Sequence, residues 1–377
     1  MARRYPRRGD DGRGVKVRTA PAQSAPQRPG AEIVTMADVA AAAGVSKQTV
    51  SNVLNYPERV RPETRERVER AVAELDFQPN RLARALKASS SGMIACRIEP
   101  IASDALSSWQ DRFLHALVEA GRVSERHVML FAADDAEQEA ATCVRLWRTG
   151  AVDGVVICDP RPDDIRPAQL LAAQVPFVCF GRAPEHGGEV SWVDIDNTRG
   201  VELVVDHLVD AGHRRIGFLG FPDGHRVGDD RSNGWVAAMD RHGLLAGSYR
   251  LDVRGQDTFT SGAKMARHLL ERADPPTALV AVSDTLAAGA LQAVRDLGLT
   301  PGDQVALVGY DDTPSAGVMD LSSVRQPLSH AGAEIMQALT PGQVAPAPLS
   351  VLLEPELIVR GSSRRGLSRR REKPATT

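Results

Sequence analysis

Between Thr35 and Leu54 two short apolar stripes at helical spacing are joined by a single glycine, a pattern that a pair of helices meeting at a tight turn satisfies. Thr35-Met36-Ala37-Asp38 has the form of a capping box with Thr35 at the N-cap. Met36, Val39, Ala40 and Ala43 then line one helical face, Gly44 ends it, and Val45 docks the next helix. Ser46 is the next N-cap, and a second helix is expected over Ser46 to Leu54 with Val50, Val53 and Leu54 turned inward. Its other face offers Lys47, Gln48, Thr49, Ser51 and Asn52: donors and acceptors suited to base edges and phosphates, with no carboxylate to repel them. The plainer reading of the same spacing is an αα-hairpin with a polar solvent face.

Pro62 suits the first turn of a third helix, in which Val68, Val72 and Leu75 share one face. Pro79 stops it, and Asn80 to Lys87 follows as two turns of good helix formers with almost no acidic charge. A helix this short is unstable alone, so it needs something packed on it. Ser89, Ser90, Ser91 and Gly92 read as a linker.

Charge is distributed unevenly along the chain. The net of −2 divides into +6 for residues 1–30, +1 for 31–87, −14 for 88–360 and +5 for 361–377. A basic arm, a near-neutral small module and an acidic body point to an anionic partner at the N-terminal end. A solvated tail accounts for residues 1–30 equally well, and the same holds for Arg364, Arg365, Arg369, Arg370 and Arg371.

No apolar run reaches the roughly 20 residues that span a bilayer, and no apolar stretch follows the basic N-terminus. Neither a membrane span nor a secretory signal is expected, which gives a cytoplasmic protein. Cys96, Cys143, Cys158 and Cys179 are irregularly spaced with no C-x-x-C pair, so buried reduced thiols are expected and no metal or cofactor.

The remainder alternates between strands and helices. Strands are expected at Met93–Ile98, His127–Phe131, Gly154–Cys158, Phe177–Phe180, Ile216–Gly220, Ala278–Val282 and Val305–Gly309. Helices are expected at Ser107–Ala120, Asp135–Thr149, Asn197–Ala211, Arg231–His242, Ala263–Arg272 and Thr285–Leu297. This alternation implies α/β architecture with parallel sheets, and its length implies two lobes with a cleft. Ligands of such folds sit outside the carboxyl ends of the strands. Polar residues just after strands are therefore candidates: Arg182, Ser283, Asp284, Asp311 and Asp312, with Arg231 opening a helix after an Asp229–Asp230 turn. Arg and Asp bind adjacent sugar hydroxyls with two hydrogen bonds each. Trp109 and Trp192 offer flat apolar faces for a sugar ring. Each of these residues also suits a plain loop surface or a helix cap.

The string Val34-Thr-Met-Ala-Asp-Val-Ala, then Ala43-Gly-Val-Ser-Lys-Gln-Thr-Val-Ser-Asn-Val-Leu-Asn55, then Thr64-Arg65 and Pro79-Asn80-Arg81 through Leu86, resembles the lactose-repressor (LacI/GalR) family of bacterial transcription regulators. The resemblance continues more loosely to about Gly361. It implies a helix-turn-helix DNA-binding domain with hinge helix over 33–91 and a periplasmic-binding-protein-like effector and dimerisation domain over 92–361; the segments 1–32 and 362–377 lie outside it and are expected, from their composition, to be basic disordered tails. It implies that Lys47, Gln48 and Asn52 read the major groove. Thr35, Met36, Ser46, Thr49, Ser51, Asn55 and Thr64 would meet the DNA backbone or support those readers. Residues 80–87, with Asn80, Ala83 and Lys87, fall on the hinge helix of the minor groove, and Leu86 on the leucine that wedges between base pairs. In the core, Val193-Asp-Ile-Asp-Asn197, Gly212-His-Arg-Arg-Ile-Gly217, Ser283-Asp-Thr-Leu-Ala-Ala-Gly-Ala290 and Val308-Gly-Tyr-Asp-Asp312 resemble the effector-binding region. Arg231 and Asp311 fall on effector-binding positions. Ser283 stands where many members have Asn, and Asp257 where many have a stacking aromatic, so a stacking face is expected from Trp109 or Trp192.

The resemblance implies a repressor, a homodimer or dimer-based oligomer on a near-palindromic double-stranded operator, controlled by a small ligand, with a sugar favoured. A nucleoside or nucleobase corepressor is the alternative, and a sugar-binding protein without regulatory role a further one. An enzyme is not expected. Asp134–Asp135, Asp163–Asp164, Asp229–Asp230 and Asp311–Asp312 are adjacent in sequence and do not make an opposed catalytic pair. No G-x-S-x-G, P-loop or G-x-G-x-x-G motif is present.

Overall fold

The computed structural model describes residues 34–77, 90–99, 109–161, 163–183, 188–245, 251–340 and 348–364. The basic tail over 1–32, the expected hinge helix with Asn80, Ala83, Leu86 and Lys87, the side chain of Asn55 and most of the C-terminal tail lie outside the described residues. The chain divides into two compact units, Met1–Ala83 and Arg84–Thr377.

The first unit holds α1 (Met36–Ala43), α2 (Lys47–Asn55) and α3 (Pro62–Glu74). Gly44 ends α1 in the left-handed region at φ +62°, which a residue with a Cβ adopts only at a cost. The Asp38 carboxylate accepts from both the backbone N–H and the hydroxyl of Thr35, each at 2.7 Å. Those two bonds hold its exposed carboxyl below the usual range. Ser46 caps α2 by accepting from the Thr49 N–H at 3.1 Å. Val39, Val50, Val53 and Val68 are buried at the centre, with Val72 and Leu75 packed around them.

The second unit contains two six-stranded sheets. Sheet one has the order β11-β5-β4-β3-β1-β2 and is parallel throughout. Its strands are β1 (Met93–Arg97), β2 (His127–Phe131), β3 (Gly154–Cys158), β4 (Phe177–Phe180), β5 (Trp192–Ile195) and β11 (Ser350–Leu353). Sheet two has the order β12-β10-β9-β8-β6-β7, parallel except for the β10–β12 pair. It consists of β6 (Ile216–Gly220), β7 (Asp252–Arg254), β8 (Ala278–Ala281), β9 (Ala306–Tyr310), β10 (Ser322–Arg325) and β12 (Glu356–Ile358). Every residue of β3, β8 and β9 is buried, as central strands covered on both faces require.

Helices α4 (Trp109–Val123), α5 (Ala136–Arg148), α6 (Ile165–Ala172) and α12 (Leu328–Ala338) belong to the first lobe. Helices α7 (Asn197–Asp210), α8 (Arg226–Arg241), α9 (Phe259–Leu270), α10 (Asp284–Asp296) and the short α11 (Pro314–Val318) belong to the second. The chain passes between lobes after β5, after β10 and between β11 and β12. Strands β2, β3, β4 and β6 have the bounds expected from sequence.

The expected Arg231–His242 helix instead begins at Arg226, so Asp229–Asp230 is helical and not a turn. An acidic residue in a first helical turn is favoured by the helix dipole, which reconciles the pair with that position. Elements α6, β5, β7, β10, β11, β12, α11 and α12 were not expected from sequence. Several are strands of only three or four residues, too short to carry a period.

Candidate functional site

Two surfaces carry the chemistry, one in each unit. In the first, Ser46, Lys47 and Gln48 are exposed and Thr49, Ser51 and Asn52 half-buried. Gln48 Nε2 donates to Asn52 Oδ1 at 3.0 Å, one helical turn away, and Ser46 and Thr49 share a hydroxyl contact of 2.9 Å. The pair Gln48–Asn52 therefore stands as one braced polar unit on α2. Thr35 and Met36 begin α1, and Thr64 lies in the first turn of α3.

In the second unit a cavity of about 400 Å³ lies between the lobes. Its wall is assembled at the carboxyl ends of strands, where parallel α/β folds collect functional side chains. The first lobe supplies Glu99 beyond β1, Asp159 after β3, Phe180 and Gly181 at the end of β4, Asp194 and Ile195 of β5, and Trp109. The second supplies Phe221 and Pro222 after β6, His225 and Arg231 around α8, Gln256, Asp257 and Thr258 after β7, and Asp311 after β9. Asn197 and Gln326 enter from two of the crossings between lobes.

Arg231 lies 4% exposed at the inner end. Its Nε donates to Asn197 Oδ1 at 2.8 Å, another nitrogen donates to the Val282 carbonyl, and its guanidinium lies 3.5 Å over the Tyr310 ring. A third nitrogen stands 3.8 Å from Asp311 Oδ1, which also accepts from Gln326 at 2.6 Å. Burial pushes the Asp311 carboxyl up to about 8, against the pull of Arg231. Asp257 is raised for the same reason. Each lobe brings an aromatic pair to the lining: Trp109 and Phe180, 5.8 Å apart, on the first lobe, and Phe221 with His225 on the second.

Polar contacts among the described residues tie the lobes together across the cleft. Arg182 donates to Asp194 at 2.8 Å and also to Asp230 of the second lobe. His225 Nε2 lies 3.3 Å from Asp159. Arg112 of α4 donates to the carbonyls of Asp311 and Asp312.

Of the effector residues expected from sequence, Trp109, Arg231 and Asp311 line the cavity. Trp192 does not: it is the first residue of β5, at the amino end of the strand, and packs half-buried against the core on one face of sheet one. Arg182 stands beside the wall as an ion-pair partner. Ser283 caps α10 by accepting from the Leu286 N–H, and its hydroxyl donates to Asp257, so it supports the wall without forming it. Asp284 points away from the cavity, accepting from Thr313 N–H and hydroxyl at 2.7 and 2.8 Å and from Ser323 at 2.6 Å. Asn197, which ends the stretch Val193–Asn197 that resembles the effector-binding region, lines the cavity, and so do Gln326, His225 and Phe180, for which the sequence carries no comparable signal. Asp159 directly follows the strand Gly154–Cys158, the same sequence signal that marks Arg182 and Asp311.

Among the described residues, no group of three or more His, Cys, Asp or Glu side chains is placed to hold a metal ion, and no helix is long and apolar enough to cross a membrane. All four cysteines are buried and free.

Residues 35–80 match the family described as bacterial regulatory proteins, lacI family, and residues 205–363 match the periplasmic binding protein-like domain. The HTH-type transcriptional regulator CelR of Thermobifida fusca is 34% identical, over 87% of this chain and 98% of its own length. A solved transcriptional regulator CelR–cellobiose complex aligns with TM-score 0.63 at 31% identity, covering 87% of this chain and 99% of that one. The lac repressor dimer bound to operator and the anti-inducer ONPF aligns with TM-score 0.74 at 27% identity, covering 88% and 100%. With a helix-turn-helix at its start and a ligand-sized cavity between the lobes of its core, the chain belongs to the lacI family of bacterial transcriptional regulators.

Proposed function

We propose that this protein is a cytoplasmic repressor whose grip on a near-palindromic operator is set by a sugar held between the lobes of its core. The observation that carries the ligand half is the composition of the cavity's inner end. Arg231 and Asp311 come from the second lobe, and Asn197 and Gln326 from the segments that cross between lobes. A ligand bound there touches both lobes and their connections, so it favours one arrangement of the lobes over another. The solved CelR–cellobiose complex supports a sugar as that ligand.

The DNA half rests on the exposed polar face of α2. Lys47, Gln48 and Asn52 read base edges in the major groove, while Thr35, Ser46, Thr49, Ser51 and Thr64 meet phosphates or hold the readers. The lac repressor dimer on its operator supports a two-fold assembly, each copy reading one half-site. Asn80, Ala83, Leu86 and Lys87 act in the minor groove, Leu86 as the wedge. The chain carries out no catalysis on its ligand.

Electrophoretic retardation of promoter fragments, with and without cellobiose and at two salt concentrations, tests this reading. Sequence-selective binding that weakens with salt is expected. Equal affinity for operator-like and random duplex at every salt concentration overturns it.

A further inference from the structure

Strand β9 ends at Tyr310, and the next two residues, Asp311 and Asp312, have φ angles of +103° and +47°. Neither is a glycine, and side-chain-bearing residues stay in this half of backbone space only where their surroundings hold them there. The second lobe holds the nitrogens and side chains of the turn. The Asp311 N–H donates to the Val324 carbonyl at 2.8 Å, and the Asp312 N–H to the Ser323 hydroxyl at 2.9 Å. The Asp312 carboxylate accepts from Arg325 at 2.7 Å and Arg360 at 2.6 Å, and the Thr313 N–H donates to Asp284 at 2.7 Å.

The two carbonyl oxygens are held from the other lobe. Nη1 of Arg112, on α4, donates to the carbonyl of Asp311 and, at 2.7 Å, to that of Asp312. Arg112 is half-buried, and no described carboxylate pairs with it, so its guanidinium is given over to these carbonyls. Successive carbonyls of a strand point opposite ways. The convergence of these two on one nitrogen therefore belongs to the bent turn and would be lost if β9 simply ran on.

The bent turn places the Asp311 side chain at the inner end of the cavity. There its Oδ1 accepts from Gln326 at 2.6 Å and lies 3.8 Å from Arg231, with the carboxyls of Asp257 and Asp284 close enough to oppose a negative charge. Burial in that position pushes the Asp311 carboxyl up to about 8.

We propose that Arg112 is the positioning residue for Asp311: with the lobes together it holds the turn in its strained form and the Asp311 carboxyl at the inner end of the cavity, and when the lobes part the turn relaxes and that carboxyl swings toward water. The place of one lobe thereby sets the polarity of a group on the other. Arg112 does this whatever ligand the cavity takes, so the role stands apart from the repressor reading and is tested without ligand or operator.

Melting of the full, ligand-free chain from about pH 4 to about pH 8 tests it, with two variants. Arg112→Met keeps the packing of the stem and removes the donors, and Arg112→Lys restores donors and charge. Each is compared with the same chain carrying Asp311→Asn, which isolates Asp311 from other titrating groups. In the parent, Asp311→Asn is expected to melt increasingly higher as pH rises, because the folded Asp311 keeps a proton that the unfolded chain releases. In Arg112→Met an Asp311 that reaches water releases its proton in both states, so the widening is expected to shrink several-fold. Arg112→Lys should keep most of it. A merely structural Arg112 would lower every melting temperature alike and leave the widening as in the parent, which overturns the proposal. A parent that shows no widening overturns it as well, since Asp311 would then hold no proton to lose. Hydrogen exchange reads the turn itself: in Arg112→Met the amides of Asp311, Asp312 and Thr313 are expected to exchange at least about ten-fold faster while those of β8 keep the parental rate. Parental rates throughout would also defeat the assignment.

Discussion

Asp153 holds Ser91 by both of the hydrogen bonds Ser91 can donate, from its backbone N–H at 2.6 Å and its hydroxyl at 2.9 Å. The same carboxylate accepts from the Ser90 hydroxyl at 2.6 Å and the Gly92 N–H at 2.8 Å. Burial alone would raise its carboxyl, and these bonds hold it below the usual range instead. The serine-rich stretch that reads as a linker in the sequence is thus fastened, from Ser90 onward, to the start of β3. A fastened exit transmits movement of the first lobe up the chain, whereas a slack one absorbs it. Asp153→Ala is expected to leave the ligand-induced thermal shift intact while the ligand's effect on operator affinity shrinks, losing most of a coupling of about 1–3 kcal/mol. Operator titrations with and without ligand measure it, and an unchanged ratio would show the clamp to be structural only.

Arg231 supports three partners at the inner end of the cavity. Arg231→Ala is expected to abolish the ligand-induced shift and to destabilise the ligand-free core by about 1–3 kcal/mol through the acceptors left unpaired. Operator binding without ligand should be unaffected. A normal ligand response would move the site elsewhere.

The Asp311 carboxyl is raised to about 8 by burial, far above its value of about 4 in an unfolded chain. Between those values the folded protein keeps a proton that the unfolded chain has released. Stability therefore falls as pH rises across that interval and levels off above it. Asp194 and Asp284, raised to about 6 by burial, add to the lower part of the fall. Asp311→Asn is expected to match the parent near pH 4 and to melt higher near pH 8. Parallel melting profiles for the two proteins across that range would contradict it.

Gln48 is braced by Asn52 on the exposed face of α2. Gln48→Ala should cost about 1–3 kcal/mol of discrimination at one base pair of each half-site and leave the others alone. Selection from a randomised operator reads this directly. A uniform loss at all positions would recast Gln48 as a phosphate contact.

Gly234 lets α8 approach α7 so closely that a Cβ there would lie 2.4 Å from the Thr198 carbonyl oxygen. Gly234→Ala is expected to destabilise by about 1–3 kcal/mol through overpacking, and to weaken ligand binding because Arg231 sits one turn away on the same helix. Gly317, with nothing near its missing Cβ, is the control, and Gly317→Ala should leave both quantities in place. Equal melting temperatures for the two variants would mean that the helices part without cost.

The sequence by itself determined what neighbours along the chain decide. Ser46 caps α2, Gly44 turns the chain at a positive φ, and the valines of α1 to α3 meet because residues three and four apart share a helical face. Apolar runs such as Gly154–Cys158 and Ile216–Gly220 announced buried strands for the same local reason. Tertiary structure alone decided which side chains share the cleft. Trp192 and Ile195 lie on one four-residue strand, yet only Ile195 reaches the cavity, because strand direction puts the carboxyl end there. Asn197 and Gln326 are far apart in sequence and meet there because the chain crosses between lobes at both points. Periodicity encodes which face of an element is buried. It holds no record of which elements pack together, since that is settled by the whole set of apolar faces covering one another at once.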